Sequence, residues 1–242
     1  MIEKQDVNYS ERIAAIIPAA GTGLRMGGEQ AKQFLEIEGR PLLAVTLQPF
    51  QDCRAVNAII LVVPSEDVEY CEKEIIEQFR LNKVIKVVPG GVRRQDSVRL
   101  GIEATGGEYG LVLIHDGVRP LVDVELIARV IKEAKAHRAV ITAIPAKETV
   151  KEIDSFDQVV KTYDRGNVWL VQTPQIFRYK DIVMAHKNAL NEGWEEATDD
   201  SILIERLGIP VKAMKGSERN IKVTTQYDLA LARFLVSQRP LI

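Results

Sequence analysis

A glycine-rich segment that carries two cations, PAAGTGLRMGGEQAKQF (18–34), is the part of the sequence whose residue types point most directly to chemistry. It follows the apolar run IAAII and contains four glycines but a single acidic residue. Gly21 and Gly23 allow the backbone to turn its N–H groups toward an anion, and Arg25 and Lys32 flank this turn. The alternative is a glycine turn that only joins a strand to a helix. The two cations favour a phosphate site.

Two common glycine-rich phosphate motifs do not fit this segment. The dinucleotide fingerprint requires a third glycine or alanine where Met26 stands, and an acidic residue about 20 positions later at a strand end. The Walker pattern requires Gly-Lys-Ser/Thr after four residues, which the segment lacks. The sequence therefore disfavours a dehydrogenase and predicts a nucleoside triphosphate site of another kind.

A second glycine-containing segment, PGGVRRQDSVRLGI (89–102), adds candidate residues for the nucleotide. Gly90 and Gly91 have no side chain, so a flat ring can approach the backbone closely. Asp96 and Ser97 have two possible roles, a contact with a base or a cap on the next helix.

Two further segments add charged candidate residues to the predicted nucleotide site. LIHDGVRPL (113–121) places Asp116 at the end of a very apolar strand, where a carboxylate is costly unless it is paired or bound to a cation. The Asp116 carboxylate has two possible partners, a Mg²⁺ ion and the guanidinium of Arg119. In NIKVTTQYDLALARFL (220–235), Lys222 is predicted on a strand before a helix that starts with a capping box.

Short apolar runs rich in Val and Ile alternate with helical patterns along the chain. Runs that are apolar at nearly every position are typical of strands buried on both faces. The alternation predicts right-handed βαβ units and an α/β fold with a mostly parallel twisted sheet and helices on both faces. We expect one domain over residues 1–242, with a polar tail at 1–11. The predicted strands are 13–18, 58–64, 84–91, 111–117 and 139–146.

Residues 147–165 break this pattern. They are predicted to form a β-hairpin arm from two short strands, TVKEI and QVVKTY, around a polar turn. An isolated hairpin of this size is marginal in water. We therefore expect a second copy of the chain to support it as a dimerisation arm, and a local flap is the alternative.

Composition and charge exclude several classes of protein. The chain has 242 residues, of which 46% are hydrophobic and 27% charged, as in ordinary globular proteins. A net charge of −2 argues against a nucleic-acid binder, and no run approaches the roughly 18 apolar residues that span a membrane. The N-terminus, MIEKQDVNYSER, is too polar for a signal peptide. Cys53 and Cys71 lack metal spacing, so a cytoplasmic location is expected.

Seven segments, taken in order, resemble the 2-C-methyl-D-erythritol 4-phosphate cytidylyltransferase family of the non-mevalonate isoprenoid pathway. The resemblance covers about residues 13–236. It implies a Rossmann-like nucleotidyltransferase domain, a homodimer with interlocked arms, CTP as donor and Mg²⁺ as the required ion. The matching segments are PAAGTGLRMG with KQFLEIEGRPLL, GGVRRQDSVRLGI, LIHDGVRPL, ETVK, DRGNVWLVQTPQIF, EATDDSILIERLG and NIKVTTQYDLALA.

The resemblance also implies a role for individual residues. Arg25 and Lys32 would stabilise the transition state, while Arg165 and Lys222 would position the sugar phosphate. Asp116 would lie near the ribose or the metal. The residues implied around CTP are Ala19, Ala20, Gly21, Gly23, Gly90, Gly91, Ser97, Asp116 and Gly117. Those implied around the sugar phosphate, some of them from the other subunit, are Thr149, Thr173 and Thr198.

Four positions depart from the pattern of the family. Ala31 stands where proline is usual, and Val92 follows the paired glycines where an acidic residue is common. The commoner HDAARP is here HDGVRP, which places Gly117 and Val118 beside the ribose.

The implied reaction is attack by a sugar-phosphate oxygen on the α-phosphorus of CTP, with release of pyrophosphate. A phosphate monoester has a second pKa near ~6, so the nucleophile is already an anion and no general base is required. His115, His137 and His186 are therefore expected to be structural or solvated. The catalytic task is electrostatic, because two polyanions must be brought together.

Several alternatives remain open from the sequence. The acceptor is either 2-C-methyl-D-erythritol 4-phosphate or, as the rival, ribitol 5-phosphate. A non-catalytic nucleotide-binding module is a rival from another class. Thr173 in QTPQIF either donates a hydrogen bond to the substrate or belongs to a tight turn at Pro174. Thr198 or Asp199 is also a candidate N-cap for the helix in SILIERLG.

Overall fold

The computed structural model describes residues 12–21, 31–194 and 197–238. Its fold is built on one central sheet of seven strands. Its order is β11-β7-β10-β6-β1-β4-β5, and β10 is antiparallel to both of its neighbours, while the other pairs are parallel. These strands are β1 (Ile13–Pro18), β4 (Ala58–Val63), β5 (Val84–Pro89), β6 (Leu111–Ile114), β7 (Ala139–Pro145), β10 (Trp169–Arg178) and β11 (Lys212–Lys215). Two small sheets pair β2 (Glu36–Ile37) with β3 (Arg40–Pro41), and β8 (Lys151–Ile153) with β9 (Val159–Thr162).

Helices cover both faces of this sheet. The helix at 65–77 passes through 3₁₀, α and π geometry in turn, and short 3₁₀ turns lie at Lys32–Phe34 and Arg165–Asn167. The α-helices are α1 (Leu42–Asp52), α2 (Val68–Tyr70), α3 (Arg94–Ala104), α4 (Val124–Glu133), α5 (Tyr179–Asn191), α6 (Ser201–Arg206) and α7 (Gln226–Ser237). The predicted α/β class and mostly parallel sheet are confirmed.

Successive residues of β1 point into the two layers of the core. Ile17 belongs to a buried cluster with Leu47 of α1 and Ile127 of α4. Ile16 belongs to a second buried cluster on the other face, with Val98 of α3. Both faces of β1 are therefore apolar, which is why its sequence is a continuous hydrophobic run. The five predicted strands are confirmed, each ending at or within a few residues of the predicted position.

One predicted strand is wrong. Lys222 lies in an irregular segment that follows β11 and precedes α7, and in that segment Val223 N–H donates to Val118 O at 2.9 Å. This backbone bond is an isolated one, so it fixes the segment beside the end of β6 without extending the sheet. The capping box of α7 is confirmed, because Asp228 N–H donates to the Thr225 hydroxyl at 3.1 Å.

The predicted hairpin is confirmed as the antiparallel pair β8 and β9. All residues of both strands are exposed, although several of them are apolar. Phe156 at the tip is 80% exposed, and Val160 in β9 is 60% exposed. The hairpin forms its own two-stranded sheet, separate from the central one.

In the described ranges, no helix combines the length and the hydropathy that a membrane crossing requires.

Candidate active site

Three loops meet where neighbouring parallel strands end, at the carboxyl edge of the sheet. Ala19, after β1, donates its N–H to Val62 O of β4 at 2.7 Å, and Gly117, after β6, donates to Pro18 O at 3.0 Å. Gly90, after β5, donates to Val63 O at 2.8 Å. Ligands in open α/β sheets bind outside the carboxyl ends of strands. The loops surround a cavity of about 250 Å³, the first cavity.

The glycines at this edge let the loops touch each other. A Cβ atom at Gly90 would overlap the Ala20 side chain and come within 2.9 Å of Ser97 Oγ. A Cβ atom at Gly117 would lie 2.8 Å from Ala19 Cβ. Any larger residue at either position would push the loops apart, so the floor of the first cavity requires both glycines.

Ser97 and Asp96 hold the loop that follows β5. Gly91 N–H donates to Ser97 Oγ at 3.1 Å, and Arg93 N–H donates to Asp96 Oδ2 at 3.3 Å. Asp96 therefore caps the start of α3, as one alternative predicted. Ser97 is buried and lines the first cavity, and its contact with a base stays a prediction.

Asp116 lies at the centre of the site and is ringed by three cations. Its carboxylate oxygens lie 3.0 Å from Arg94 Nε, 3.0 Å from Lys222 Nζ and 3.5 Å from Arg119 Nε. Burial alone would raise the pKa of Asp116, but Arg94, Lys222 and Arg119 together hold it well below its usual range. The predicted pairing with Arg119 is confirmed, although it is the longest of the three. Asp116 is therefore a fixed anion held by three cations.

A larger cavity of about 550 Å³, the second cavity, opens on the other side of Asp116. Thr173 and Thr198 line it, as do Gln172 and Asp199. Three charged residues line both cavities, and they are Arg94, Asp116 and Lys222. Two pockets that share one charged wall are suited to two ligands that react across that wall.

The Thr173 hydroxyl belongs to a buried hydrogen-bond chain. It accepts from Asp116 N–H at 3.1 Å and lies 3.0 Å from His115 Nδ1, while His115 Nε2 lies 3.2 Å from Arg119 O. A carbonyl only accepts, so Nε2 carries the proton and Nδ1 accepts from the Thr173 hydroxyl. Burial lowers the pKa of His115 to about 3, which keeps the ring neutral. The single hydroxyl proton of Thr173 thus points to His115 and is not available to a substrate in this arrangement, so a contact of Thr173 with the acceptor stays a prediction.

Arg94 and Asp200 are charged residues of the site that the motifs did not single out. Arg94 Nη1 donates to Asp200 Oδ2 at 2.8 Å, and Asp200 is 1% exposed at the start of α6. The segment that contains Asp200 does cap this helix, because Ile202 N–H donates to Asp199 Oδ1 at 3.2 Å. The sequence did contain a signal for this pair. Asp199 and Asp200 stand together directly before an apolar helix, and an acid that is buried there requires a cation as its partner.

The remaining predicted residues fall into three groups. Lys32, Ala19, Ala20, Gly21 and Gly91 line the first cavity. Thr149 and Arg165 are exposed on the arm, where Arg165 donates to Lys147 O at 3.0 Å, and the described linings of the two cavities contain neither. Gly23 and Arg25 lie outside the described residues.

The described residues contain no group of three or more His, Cys, Asp and Glu side chains placed to hold a metal ion. Asp116 is the carboxylate at the wall between the cavities, and its oxygens are bonded to cations. A divalent ion at this wall would therefore have to be held mainly by oxygens of a bound ligand.

Comparison with known proteins gives matches over nearly the whole chain. The sequence profile of the family IspD, 2-C-methyl-D-erythritol 4-phosphate cytidylyltransferase, matches residues 13–238. A protein of that name from Desulforamulus reducens is 43% identical over 227 residues, which cover 94% of this chain and 97% of the relative. Another, from Geotalea uraniireducens, is 44% identical over 223 residues, covering 91% and 95%.

Solved structures give the same result. The crystal structure of 4-diphosphocytidyl-2C-methyl-D-erythritol synthase from Anaerococcus prevotii is 36% identical, with a TM-score of 0.83, and the match covers 95% of this chain and all of that one. The 2-C-methyl-D-erythritol 4-phosphate cytidylyltransferase from Thermus thermophilus is 30% identical, with a TM-score of 0.74, covering 92% and 98%.

Proposed function

Because the chain belongs to the 2-C-methyl-D-erythritol 4-phosphate cytidylyltransferase family, we propose that its two adjoining cavities hold the two substrates of that reaction. The enzyme transfers CMP from CTP to 2-C-methyl-D-erythritol 4-phosphate in isoprenoid biosynthesis. The products are 4-diphosphocytidyl-2-C-methyl-D-erythritol and pyrophosphate. The observation that carries the proposal is the wall of Asp116, Arg94 and Lys222, which lines both cavities.

CTP is assigned to the first cavity. Its floor consists of backbone and small side chains after β1 and β5, where a flat base can lie against Gly91 and Ala20. Lys32 lines the same cavity and is assigned to the phosphates, together with Arg25. An ammonium group is a compact charge that suits a single non-bridging oxygen at the α-phosphate.

The acceptor phosphate is assigned to the second cavity. Lys222 and Arg119 lie on its wall, and Thr198 on its rim offers a hydroxyl. The acceptor is a phosphate dianion near neutral pH, since its second pKa is near ~6, so attack on the α-phosphorus needs no base. The buried, neutral His115 is not required for proton transfer, in agreement with this assignment.

We propose that the reaction uses Mg²⁺, as the resemblance to the family implies. The ion supplies charge neutralisation on the triphosphate. We assign Asp116 an indirect contact with it, through water, because both carboxylate oxygens already bond to Arg94 and Lys222.

We also propose that the enzyme is a homodimer whose arms (147–165) complete each other's sites. The arm exposes Ile153, Phe156 and Val160, and such apolar surface is usually covered by a partner. Thr149 and Arg165 lie on this arm and are exposed, and the described linings of the two cavities contain neither. In a dimer they would hold the acceptor phosphate bound to the other subunit.

A cytoplasmic location is proposed from the two cysteines. Cys53 and Cys71 are both free and buried, and unpaired thiols are typical of a reducing compartment.

The reaction is tested by identifying its product. Purified protein is mixed with CTP, 2-C-methyl-D-erythritol 4-phosphate and Mg²⁺, and the mixture is followed by phosphorus NMR. The proposal expects signals of a diphosphate diester and of pyrophosphate, both suppressed by a chelator and restored by excess Mg²⁺. Inorganic phosphate or CMP in place of the diester would overturn it.

A further inference from the structure

Arg94 lies between the two cavities, within the second glycine-containing segment (89–102), and does not belong to the predicted set of cations. It is the first residue of α3, directly after the loop that carries Gly90 and Gly91. Its side chain lines both cavities and is 22% exposed. A cation in this place is poised to act on both substrates.

The guanidinium of Arg94 joins two carboxylates from different parts of the chain. Nε donates to Asp116 Oδ1 at 3.0 Å, and Nη1 donates to Asp200 Oδ2 at 2.8 Å. Asp116 follows β6 beside the first cavity, whereas Asp200 precedes α6, next to Asp199 and Thr198 of the second cavity. Arg94 therefore ties the nucleotide side of the site to the acceptor side.

Both carboxylates are buried, so each needs a cation. Burial raises the pKa of Asp200, but Arg94 and the neighbouring His186, whose Nε2 lies 3.5 Å away, leave it below its usual range. Asp116 has two further cationic partners, Arg119 and Lys222. Among the described residues, Arg94 is the arginine that pairs with Asp200. Without Arg94, Asp200 and the adjacent residues Thr198 and Asp199 would lose the ion pair that fixes their position.

The planar fork of arginine is what permits this arrangement. Its nitrogens have fixed relative positions, so two acceptors can be held at once with a defined distance between them. A lysine ammonium at the same place could bond only one carboxylate, or lie between the two at a longer distance from each. The geometry of the pair Asp116 and Asp200 is thus specific for arginine.

We propose that Arg94 is a positioning residue that couples the two substrate subsites, orienting Asp116 toward CTP and fixing the Thr198–Asp200 segment toward the acceptor phosphate. The inference rests on the proposed function, since it takes the two cavities as the CTP and acceptor sites. It adds a residue with a role that acts through two carboxylates.

The test compares R94K, D200N and the double variant with the wild type. R94K keeps a positive charge between the two carboxylates but cannot bond both of them at hydrogen-bond distance, and D200N removes the charge of the second carboxylate while keeping its shape. The KM values for CTP and for the acceptor are measured separately, with kcat and the melting temperature. R99K is the matched control, because Arg99 lies on the same helix and pairs with the largely exposed Glu103.

We expect KM for the acceptor to rise roughly 10-fold in R94K and in D200N, because these variants should displace the acceptor by less than the ~1 Å that can cost ~10²-fold. The rise in the double variant should be smaller than the product of the single effects, as for residues that act through one contact. R99K should stay within about twofold of the wild type, as is usual for surface pairs.

Equilibrium binding of CTP, measured by calorimetry with no acceptor present, separates this inference from the proposed function. We expect R94K to bind CTP several-fold more weakly than the wild type. If the wild type turns over and R94K and D200N change only the melting temperature, Arg94 is merely structural and the inference is overturned alone. Absence of turnover in the wild type, with CTP binding still weakened by R94K, would overturn the proposed function and leave only the action of Arg94 on the CTP side supported.

Discussion

Lys222 Nζ lies 3.0 Å from Asp116 Oδ2, in the wall that the two cavities share. The two residues come from different segments, one after β6 and one before α7, and are brought together by the bond from Val223 N–H to Val118 O. This pair places an ammonium group where an incoming phosphate and the α-phosphate of CTP would meet. The proposed transfer of CMP depends on this ammonium group.

The first prediction concerns Lys222. Lys222→Met should lower kcat/KM for the acceptor by roughly 10²-fold, because it removes a cation from the point where negative charge accumulates. Steady-state rates at varied acceptor concentration measure this, with Lys132→Met, an exposed lysine of α4, as the control. Unchanged kinetics in Lys222→Met would exclude Lys222 from the reaction.

Lys32 gives a second prediction with a different kinetic signature. Lys32→Ala should lower kcat by about 10²–10³-fold, by analogy with the loss of an oxyanion donor, and Arg25→Ala should do the same. Single-turnover rates at saturating CTP isolate this step from binding. Lys73→Ala, an exposed lysine paired with Glu69, serves as the control. A change in KM for CTP without a change in kcat would assign Lys32 to ground-state binding.

The arm gives a third prediction, which tests the dimer directly. Arg165→Ala should raise KM for the acceptor phosphate and leave KM for CTP nearly unchanged. In dimers mixed from Arg165→Ala and Lys32→Ala subunits, some sites combine an intact Lys32 with an intact arm from the partner. At an acceptor concentration far below the KM of the Arg165→Ala variant, an equal mixture should recover roughly a quarter of the wild-type activity, as expected for random pairing in a two-fold dimer.

The control for mixing is each variant alone, treated in the same way. If Arg165 acts in its own chain, a mixed dimer contains no intact site and activity stays at the level of the separate variants. That result would contradict the proposed exchange of arms.

The fourth prediction concerns stability at acidic pH. Burial lowers the pKa of His115 from 6.5 to about 3, so between these values the unfolded chain takes up a proton that the folded protein does not. The free energy of unfolding should therefore fall as the pH drops through this window, by up to about 1.4 kcal/mol per pH unit. This contribution is fully present above pH 6.5.

Denaturant titrations at several pH values measure this slope. His115→Gln should be less stable than the wild type near neutral pH, because it disturbs the bonds to Thr173 and Arg119, and its stability should depend less on pH in the window. His137→Gln is the control, since His137 lies on the surface and should keep the wild-type slope. An unaltered slope in His115→Gln would assign the acid sensitivity to other groups.

The sequence predicted the strands of the sheet well because their apolar runs are continuous. Every residue of β4 is buried, and a run such as AIILVV has few structural alternatives. β10 was not predicted, although it is the longest strand among the residues that the structure describes. It contains Gln172, Thr173 and Pro174, which favour a turn locally, and it is stabilised by pairing with β6 and β7 on its two sides.

The nucleotide side of the site was easier to predict than its charged wall. Gly90, Gly91 and Asp116 carry local signals, namely paired glycines after a strand and an acid at the end of an apolar run. The contact between Arg94 and Asp200 joins residues far apart in sequence, and only the tertiary fold shows it. Lys222 was singled out for its motif, but its place in an irregular segment depends on one long-range backbone bond.

The measurement that tests the central claim most directly is the initial rate of pyrophosphate release from CTP and Mg²⁺ with each of two acceptors. The account predicts rapid release with 2-C-methyl-D-erythritol 4-phosphate and little with ribitol 5-phosphate. Rapid release with ribitol 5-phosphate alone would contradict the assignment of the second cavity and leave the nucleotide site in place. Release with neither acceptor would contradict the account as a whole and favour a nucleotide-binding module without catalysis.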